Sequence, residues 1–176
     1  MIILDTTRLL LREFVPEDVD ALAEVISDPE TMKYYPAPYD RQGVIDWIKR
    51  NRRRYGVDGF GLWGMVLKSN QQLVGDCGLI KHTIEAVDEI EIGYHLHRKL
   101  WGQGLASEAA RACRDYGFAH VPVARLISLI RPENSPSRRV AEKNGMHISK
   151  EIMWRGLPHY LYAIERPGLQ LQRTQS

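Results

Sequence analysis

Two spacings of hydrophobic residues run along the chain and predict two kinds of element. Apolar residues recurring every three, four and seven positions indicate amphipathic helices, whereas short apolar runs and alternation indicate strands. The first half predicts a strand, two helices and three strands, near residues 8–14, 16–28, 44–55, 61–67, 72–80 and 89–96. The second half predicts a helix, a strand, a helix and two strands, near residues 105–116, 125–130, 136–144, 148–154 and 160–165. This order predicts an α/β fold in which a mixed sheet carries helices on both faces.

Length and charge narrow the classes of protein further. The chain has 176 residues, and its 24 basic and 22 acidic side chains leave a formal charge of +2. This size suits a single domain, which we place at residues 1–166, followed by a flexible tail at 167–176. The balanced charge argues against a nucleic-acid groove that extends over the whole surface.

The cysteines and the amino terminus indicate the compartment. Cys77 and Cys113 lie far apart in sequence and form no CxxC motif, so they are expected to be reduced and buried. Met1–Asp5 lacks the basic start and apolar core of a signal peptide, and no apolar run is long enough to cross a bilayer. We therefore expect a cytoplasmic protein with no membrane partner.

A turn with two glycines, Trp101–Gly104, joins the strand at 89–96 to the helix at 105–116. Glycine permits positive φ and close approach of a ligand, and the amides at a helix N-terminus attract anions. The turn therefore predicts a pyrophosphate site, with a plain tight turn as the alternative. A Rossmann site is disfavoured because the turn comes late in the chain and lacks an acid about twenty residues on, and the sequence contains no P-loop motif.

Four blocks of the sequence resemble the GNAT superfamily of acyl-CoA N-acyltransferases, and within it the RimJ/RimL-like branch. Thr7–Arg12 and Ser27–Glu30 resemble the opening pattern of that branch. Glu91–Tyr94 and Trp101–Ala109 resemble its E-I-G-Y strand and its W-G-x-G-x-A-x-E-A turn. Residues 134–146 resemble the downstream N-x-x-S and E-K-x-G-[FM] elements. The resemblance implies the GNAT fold, a mixed and mostly antiparallel sheet with helices on both faces.

The resemblance also implies acetyl-CoA as the cosubstrate. In the family, the pyrophosphate lies on main-chain amides of the turn, which correspond here to Leu100, Gly102, Gln103, Gly104, Leu105 and Ala106. The pantetheine arm runs beside the E-I-G-Y strand and pairs with main-chain groups, which correspond to Ile92, Tyr94 and Leu96. Asn134 matches the residue that holds the arm. No metal is expected, because His95 and His97 have no obvious third ligand.

Glu91 is our first candidate for the base that removes a proton from the acceptor amine. A primary amine is protonated at neutral pH, so a nearby carboxylate assists its deprotonation. Alternation along the strand places Glu89, Glu91 and His95 on one face, and acids in such a strand are costly unless they are used or paired. The alternatives are Glu89, Asp76 on the neighbouring strand, or water alone. Glu89 and Glu91 also have structural readings, at an exposed strand start and in an arginine pair.

Ser137 is the candidate acid that protonates the departing thiolate. Many members of the superfamily use a tyrosine four residues before the glycine that ends this helix, and that position is Ala141 here. The RimJ/RimL-like pattern offers Ser137 instead, three residues after Asn134. The alternative is that the Ser137 hydroxyl serves only as a helix cap.

We therefore expect an N-acetyltransferase that transfers the acetyl group of acetyl-CoA directly to a primary amine in a ternary complex. A protein N-terminal α-amine is the first candidate acceptor. The alternatives are a small molecule, such as a polyamine, amino acid or antibiotic, and a non-catalytic acyl-CoA sensor. The basic run at 49–54 is better explained as a solvated helix face than as a nucleic-acid site, and a homodimer is left open.

Overall fold

The computed structural model describes residues 1–168, so nearly all of the predicted tail lies outside the described residues. Eight strands are present: β1 Ile2–Asp5, β2 Leu9–Arg12, β3 Leu62–Leu67, β4 Leu73–Ile84, β5 Val87–Leu96, β6 Arg125–Ile130, β7 His147–Trp154 and β8 Leu157–Glu165. Four α-helices accompany them: α1 Val19–Ile26, α2 Arg41–Val57, α3 Leu105–His120 and α4 Ser135–Lys143.

The strands form one sheet in the order β1-β2-β3-β4-β5-β6-β8-β7. Every neighbouring pair is antiparallel except β5 and β6, which are parallel. Helices cover both faces of the sheet. A central strand such as β3 is therefore apolar on both sides. The expected mixed and mostly antiparallel sheet is confirmed.

Two apolar clusters lie on opposite faces of the sheet. The first joins α1 and α2 to the sheet through buried residues that include Leu22, Ile26 and Ile48. The second joins α3 and α4 through residues that include Leu105 and Ala141. The helices before the central strands therefore cover one face, and those after them cover the other.

Two hairpins extend further than the sequence predicted. β4 and β5 meet at Glu85 and Ala86, whose φ angles are 49° and 66°, and β7 and β8 meet at Arg155 and Gly156, with 50° and 78°. Two successive positive φ angles match the right-handed twist of paired strands. Glu-Ala and Arg-Gly are not the Asn-Gly signal of such turns, so the strand ends were missed. β1 was missed as well.

The pairing of β5 leaves one of its edges partly open. Ten residue pairs link β5 to β4, whereas the described register with β6 has one pair, Glu91 with Ile127. Beyond it, the carbonyl of Ile92 accepts a hydrogen bond from Ser128 Oγ at 2.8 Å, and that of Leu96 accepts one from Trp101 Nε1 at 2.7 Å. The two strands thus part toward the glycine turn.

Candidate active site

The glycine turn ends at Gly104, immediately before the first residue of α3. Gly102 and Gly104 have φ angles of 76° and 80°, which side chains with a Cβ rarely adopt. Gly104 is the N-cap residue of α3, so the amides of the first helical turn follow it directly. Main-chain amides and the positive end of the helix dipole converge there, which are the features that an anion site needs.

An ion pair braces this turn against the amino-terminal strands. Arg8 donates from Nε to Glu108 Oε2 at 2.7 Å and from Nη1 to the carbonyl of Gln103 at 2.8 Å. Thr6 Oγ1 donates to Glu108 Oε1 at 2.7 Å. Burial alone would raise the pKa of Glu108, but the hydrogen bonds from Thr6 and Arg8 outweigh burial and lower it. Two of the motif blocks thus stabilise each other.

A cavity of about 230 Å³ opens beside the turn. Most of the predicted cofactor residues line it, namely Tyr94, Leu96, Gly102, Gly104, Leu105, Ala106 and Asn134, together with Ser137. Ile92, Leu100, Gln103 and Glu91 do not line it. Lys33, Arg139 and Lys143 do, and their charges complement a ligand that carries phosphate groups.

Ser137 and Tyr94 meet on one wall of the cavity. Ser137 Oγ donates to Tyr94 Oη at 3.0 Å, and Tyr94 Oη donates to the Ser137 carbonyl at 2.9 Å. Burial raises the pKa of Tyr94, so its phenol stays protonated at neutral pH. The helix cap is Asn134, whose Oδ1 accepts from the Ser137 amide at 3.2 Å. The cap alternative for the Ser137 hydroxyl is therefore wrong.

The two glutamates predicted on β5 are both engaged by neighbours. Glu89 is 5% exposed and pairs with Arg125, so it is not at an exposed strand start. Glu91 Oε2 lies 2.6 Å from His82 Nε2, and Glu91 Oε1 accepts from the Leu129 amide at 3.2 Å. Glu91 is thus held by an imidazole and a main-chain amide rather than by an arginine.

Asp76 on β4 forms a second carboxylate–imidazole pair with His95, which lies four residues from Glu91 on the same face of β5. Asp76 is fully buried; its Oδ1 lies 2.8 Å from His95 Nδ1, and its Oδ2 accepts from Trp47 Nε1 at 2.8 Å. His95 lines the cavity. From the sequence, the His95 side chain was a candidate only as a metal ligand. The alternation that placed it beside Glu91, with Asp76 on the adjacent strand, is the signal that could have identified the pair.

The cysteines are buried, as expected, and the fold brings them together. Cys77 on β4 and Cys113 on α3 are free thiols with their sulfur atoms 3.5 Å apart. Burial, together with the neighbouring thiol, raises the pKa of Cys77. Among residues 1–168, no three His, Cys, Asp or Glu side chains are grouped to hold a metal ion. None of the helices in that range is both long enough and apolar enough to span a bilayer.

A family model described as an acetyltransferase (GNAT) domain matches residues 8–147. The chain belongs to the GNAT acetyltransferase family. It is 40% identical over 148 residues to the protein YkkB of Bacillus subtilis, covering 84% of this chain and 86% of that one. It is 34% identical over 142 residues to the N-acetyltransferase YnaD of the same organism, covering 80% of each.

A solved GNAT acetyltransferase from Bacillus anthracis has the same fold. It superposes with a TM-score of 0.79 at 31% sequence identity, covering 94% of this chain and 99% of that one. The fold and the family predicted from the motif blocks are therefore confirmed, and the GNAT protein is an N-acetyltransferase.

Proposed function

We propose that this GNAT protein binds acetyl-CoA along β5 and the glycine turn and transfers the acetyl group to a primary amine. One observation carries the proposal: the amides that begin α3 and the side chains of Tyr94, His95 and Ser137 line one cavity. A diphosphate held at the turn therefore leaves the thioester end of the same molecule within reach of proton-transferring groups.

The cofactor grip uses main-chain groups of the turn and side chains at its rim. The amides of residues 104–106 receive the pyrophosphate, and Arg139 and Lys143 on α4 supply positive charge. Main-chain groups of Ile92, Tyr94 and Leu96 are the proposed partners of the pantetheine arm, and Asn134 lines its path. Leu100 and Gln103 are assigned to the turn, and Ile92 to the arm, by the motif alone, because none of the three lines the cavity.

The departing thiolate receives its proton from the hydroxyl pair. Ser137 is the proposed acid, and Tyr94 accepts the Ser137 hydrogen bond at 3.0 Å. The tyrosine that many family members place at position 141 is missing, but a phenol reaches the same wall of the cavity from β5. Glu91, the base predicted from the sequence, stays a prediction. Two observations argue against it: both of its oxygens already accept hydrogen bonds, and it does not line the cavity.

The first candidate acceptor is a protein N-terminal α-amine, because the motif blocks follow the RimJ/RimL-like pattern. The fold does not separate this acceptor from a small molecule. RimL, a ribosomal alpha-N-protein acetyltransferase solved with coenzyme A, superposes with a TM-score of 0.75 at 18% identity. The aminoglycoside acetyltransferase AAC(6')-Ib, also solved with coenzyme A, superposes with a TM-score of 0.75 at 16% identity. An experiment is therefore needed to identify the amine that accepts the acetyl group.

Purified protein is tested with acetyl-CoA against three amine classes, with release of the CoA thiol as the readout. The classes are peptides beginning with Ala, Ser or Thr, polyamines, and aminoglycosides. We expect transfer to the peptides. Transfer to another class only would replace the protein acceptor with a small molecule. Tight CoA binding by calorimetry without transfer to any amine would favour the sensor and overturn the proposed function.

A further inference from the structure

Asp76 and His95 face each other across the β4–β5 ladder, in the interior of the protein. They are register partners, Asp76 is fully buried and His95 is 7% exposed. An aspartate without any exposure is costly unless hydrogen bonds satisfy its charge. Here each carboxylate oxygen accepts one hydrogen bond, from the Trp47 indole and from the His95 imidazole, both at 2.8 Å. The pair is thus a built arrangement and not a chance contact.

The two partners of Asp76 settle which nitrogen of His95 carries the proton. The Trp47 indole can only donate, and an ionised carboxylate can only accept. Asp76 Oδ1 therefore requires a hydrogen on His95 Nδ1. In the neutral imidazole, the lone pair is then left on Nε2. The carboxylate fixes the tautomer in which Nε2 is a proton acceptor.

His95 Nε2 is buried and has no hydrogen-bond partner within the described residues. Such an atom is uncommon, because buried polar atoms are normally satisfied. The imidazole lines the same cavity as Tyr94 and Ser137. The Tyr35 ring packs against the imidazole at a tilt of 45° with the ring centroids 5.1 Å apart, and the Trp47 ring meets it edge-on at 5.4 Å. An acceptor amine that moves Tyr35 aside would supply the missing partner.

We propose that His95 Nε2 takes the first proton from the acceptor ammonium, with Asp76 as the residue that positions it. The inference rests on the proposed function, and it deepens it by naming the base. The amine loses one proton to Nε2, and its nitrogen lone pair forms the C–N bond as the C–S bond breaks. The second proton from nitrogen ends on the CoA thiolate through the Ser137 hydroxyl, and His95 then releases its proton to water.

In the described part of the chain, few titratable groups face His95, and they bear on how the rate should depend on pH. Asp76 faces it from β4, and Tyr35 faces it from the connection between α1 and α2. α2 contributes Trp47, whose ring is overlain by Arg50 at 5.5 Å, and Glu91 lies further along β5. Burial, followed by the charges of Glu91 and Asp76, raises the pKa of Tyr35, so Tyr35 stays neutral. Protonation of Nε2 would remove the lone pair that the base needs, so loss of rate on the acidic side of the pH–rate profile, an acidic limb, is the expected signature.

The first experiment uses His95→Ala with the best amine from the screen. We expect kcat/KM to fall on the order of 10²-fold or more, the acidic limb to disappear, and CoA affinity to remain unchanged. Added imidazole should enter the vacated space and restore a saturable part of the rate. The control is His147→Ala, an exposed histidine on β7 that should keep the parent rate and limb.

The second experiment tests the positioning role with Asp76→Asn. The amide keeps its oxygen for the Trp47 indole, so its NH₂ faces Nδ1 and drives the proton to Nε2. We expect nitrogen NMR to show Nδ1 protonated in the parent and Nε2 protonated in the variant, with kcat reduced on the order of 10²-fold or more. The NMR readout on the parent protein needs no variant to fold.

Three results would overturn the inference while leaving the proposed function standing. They are an Nε2-protonated imidazole in the parent protein, an unchanged acidic limb in folded His95→Ala or His95→Gln, and a lost rate that imidazole does not restore. A parent protein that transfers acetyl to no amine would instead overturn the proposed function itself.

Discussion

The two sides of the cavity are built in different ways. The proposed cofactor side consists of nearly consecutive residues, from Gly102 to Ala106, and would rely on main-chain amides. The proposed acceptor side gathers His95 from β5 and Tyr35 from a connection, with Trp47 of α2 packed against the imidazole, and relies on side chains. Main-chain binding demands a local backbone shape, whereas side-chain chemistry demands that distant segments meet. We expect variants on the two sides to have separable effects on CoA affinity and on the rate.

The largest effect is expected from Gly104→Val on the cofactor side. Valine at a φ of 80° is strained by about 3 kcal/mol, and relief of that strain reshapes the turn, so CoA affinity should fall roughly 100-fold. The nearest atom to a Cβ added at position 104 is Arg8 Nη2 at 3.5 Å, so the new Cβ causes no steric clash. Calorimetry with CoA measures the change.

The matched control for this variant is Gly59→Val. Gly59 has a φ of 78° and no atom within 4 Å of a new Cβ, and it does not line the cavity. It should lose similar stability but keep its CoA affinity. Unchanged CoA affinity in a folded Gly104→Val protein would remove the phosphate site from the turn.

A smaller effect is expected from Ser137→Ala, where the two sides meet. The rate should fall roughly tenfold or more, at the low end for a general acid, because an alkyl thiolate leaves readily. CoA affinity and thermal stability should change little, because Asn134 and not the Ser137 hydroxyl caps α4. Exposed Ser135 in the same helical turn provides the control, Ser135→Ala. A full rate in Ser137→Ala would assign the proton to Tyr94 or to water.

Arg8→Met tests whether the ion pair beside the glycine turn, outside the cavity, supports CoA binding. The partly exposed ion pair with Glu108 stabilises the conformation of the turn by about 1 kcal/mol. Without it, CoA binding should weaken about fivefold. The lowered pKa of Glu108 means that this contribution is present at neutral pH and is lost in acid as pH falls through that pKa. Arg41→Met removes an exposed ion pair elsewhere and should change nothing. An unaltered affinity in Arg8→Met would show that the turn needs no brace.

The smallest effect on the rate is expected from Glu91→Gln. Its carboxylate serves His82 and the Leu129 amide, so the variant should lose about 1–3 kcal/mol of stability. The loss of rate should stay below the roughly tenfold expected of Ser137→Ala, and far below the roughly 10²-fold that removal of a general base costs, and the acidic limb should persist. If the rate instead fell by about 10²-fold and the acidic limb disappeared, the base would be Glu91, as predicted from the sequence. The pH–rate profile of the folded variant decides between them.

The sequence by itself determined the helices, most strands and the cofactor turn, because each depends on residues that are neighbours in the chain. Gly102 and Gly104 state a backbone requirement within one short segment, and the period of apolar residues states which face is buried. β1 and the ends of the hairpins escaped. The β4–β5 turn did so because Glu85 and Ala86 adopt positive φ without a glycine.

Only the tertiary structure decided which polar groups are paired and which is left free. Alternation placed Glu91 and His95 on one face of β5 but could not reveal their partners on β4. His82 and the Leu129 amide satisfy Glu91, whereas Asp76 engages one nitrogen of His95 and leaves the other unpaired at the cavity. The strand register and the packing of Trp47 create that difference, because a hydrogen bond depends on distances that only the folded chain sets.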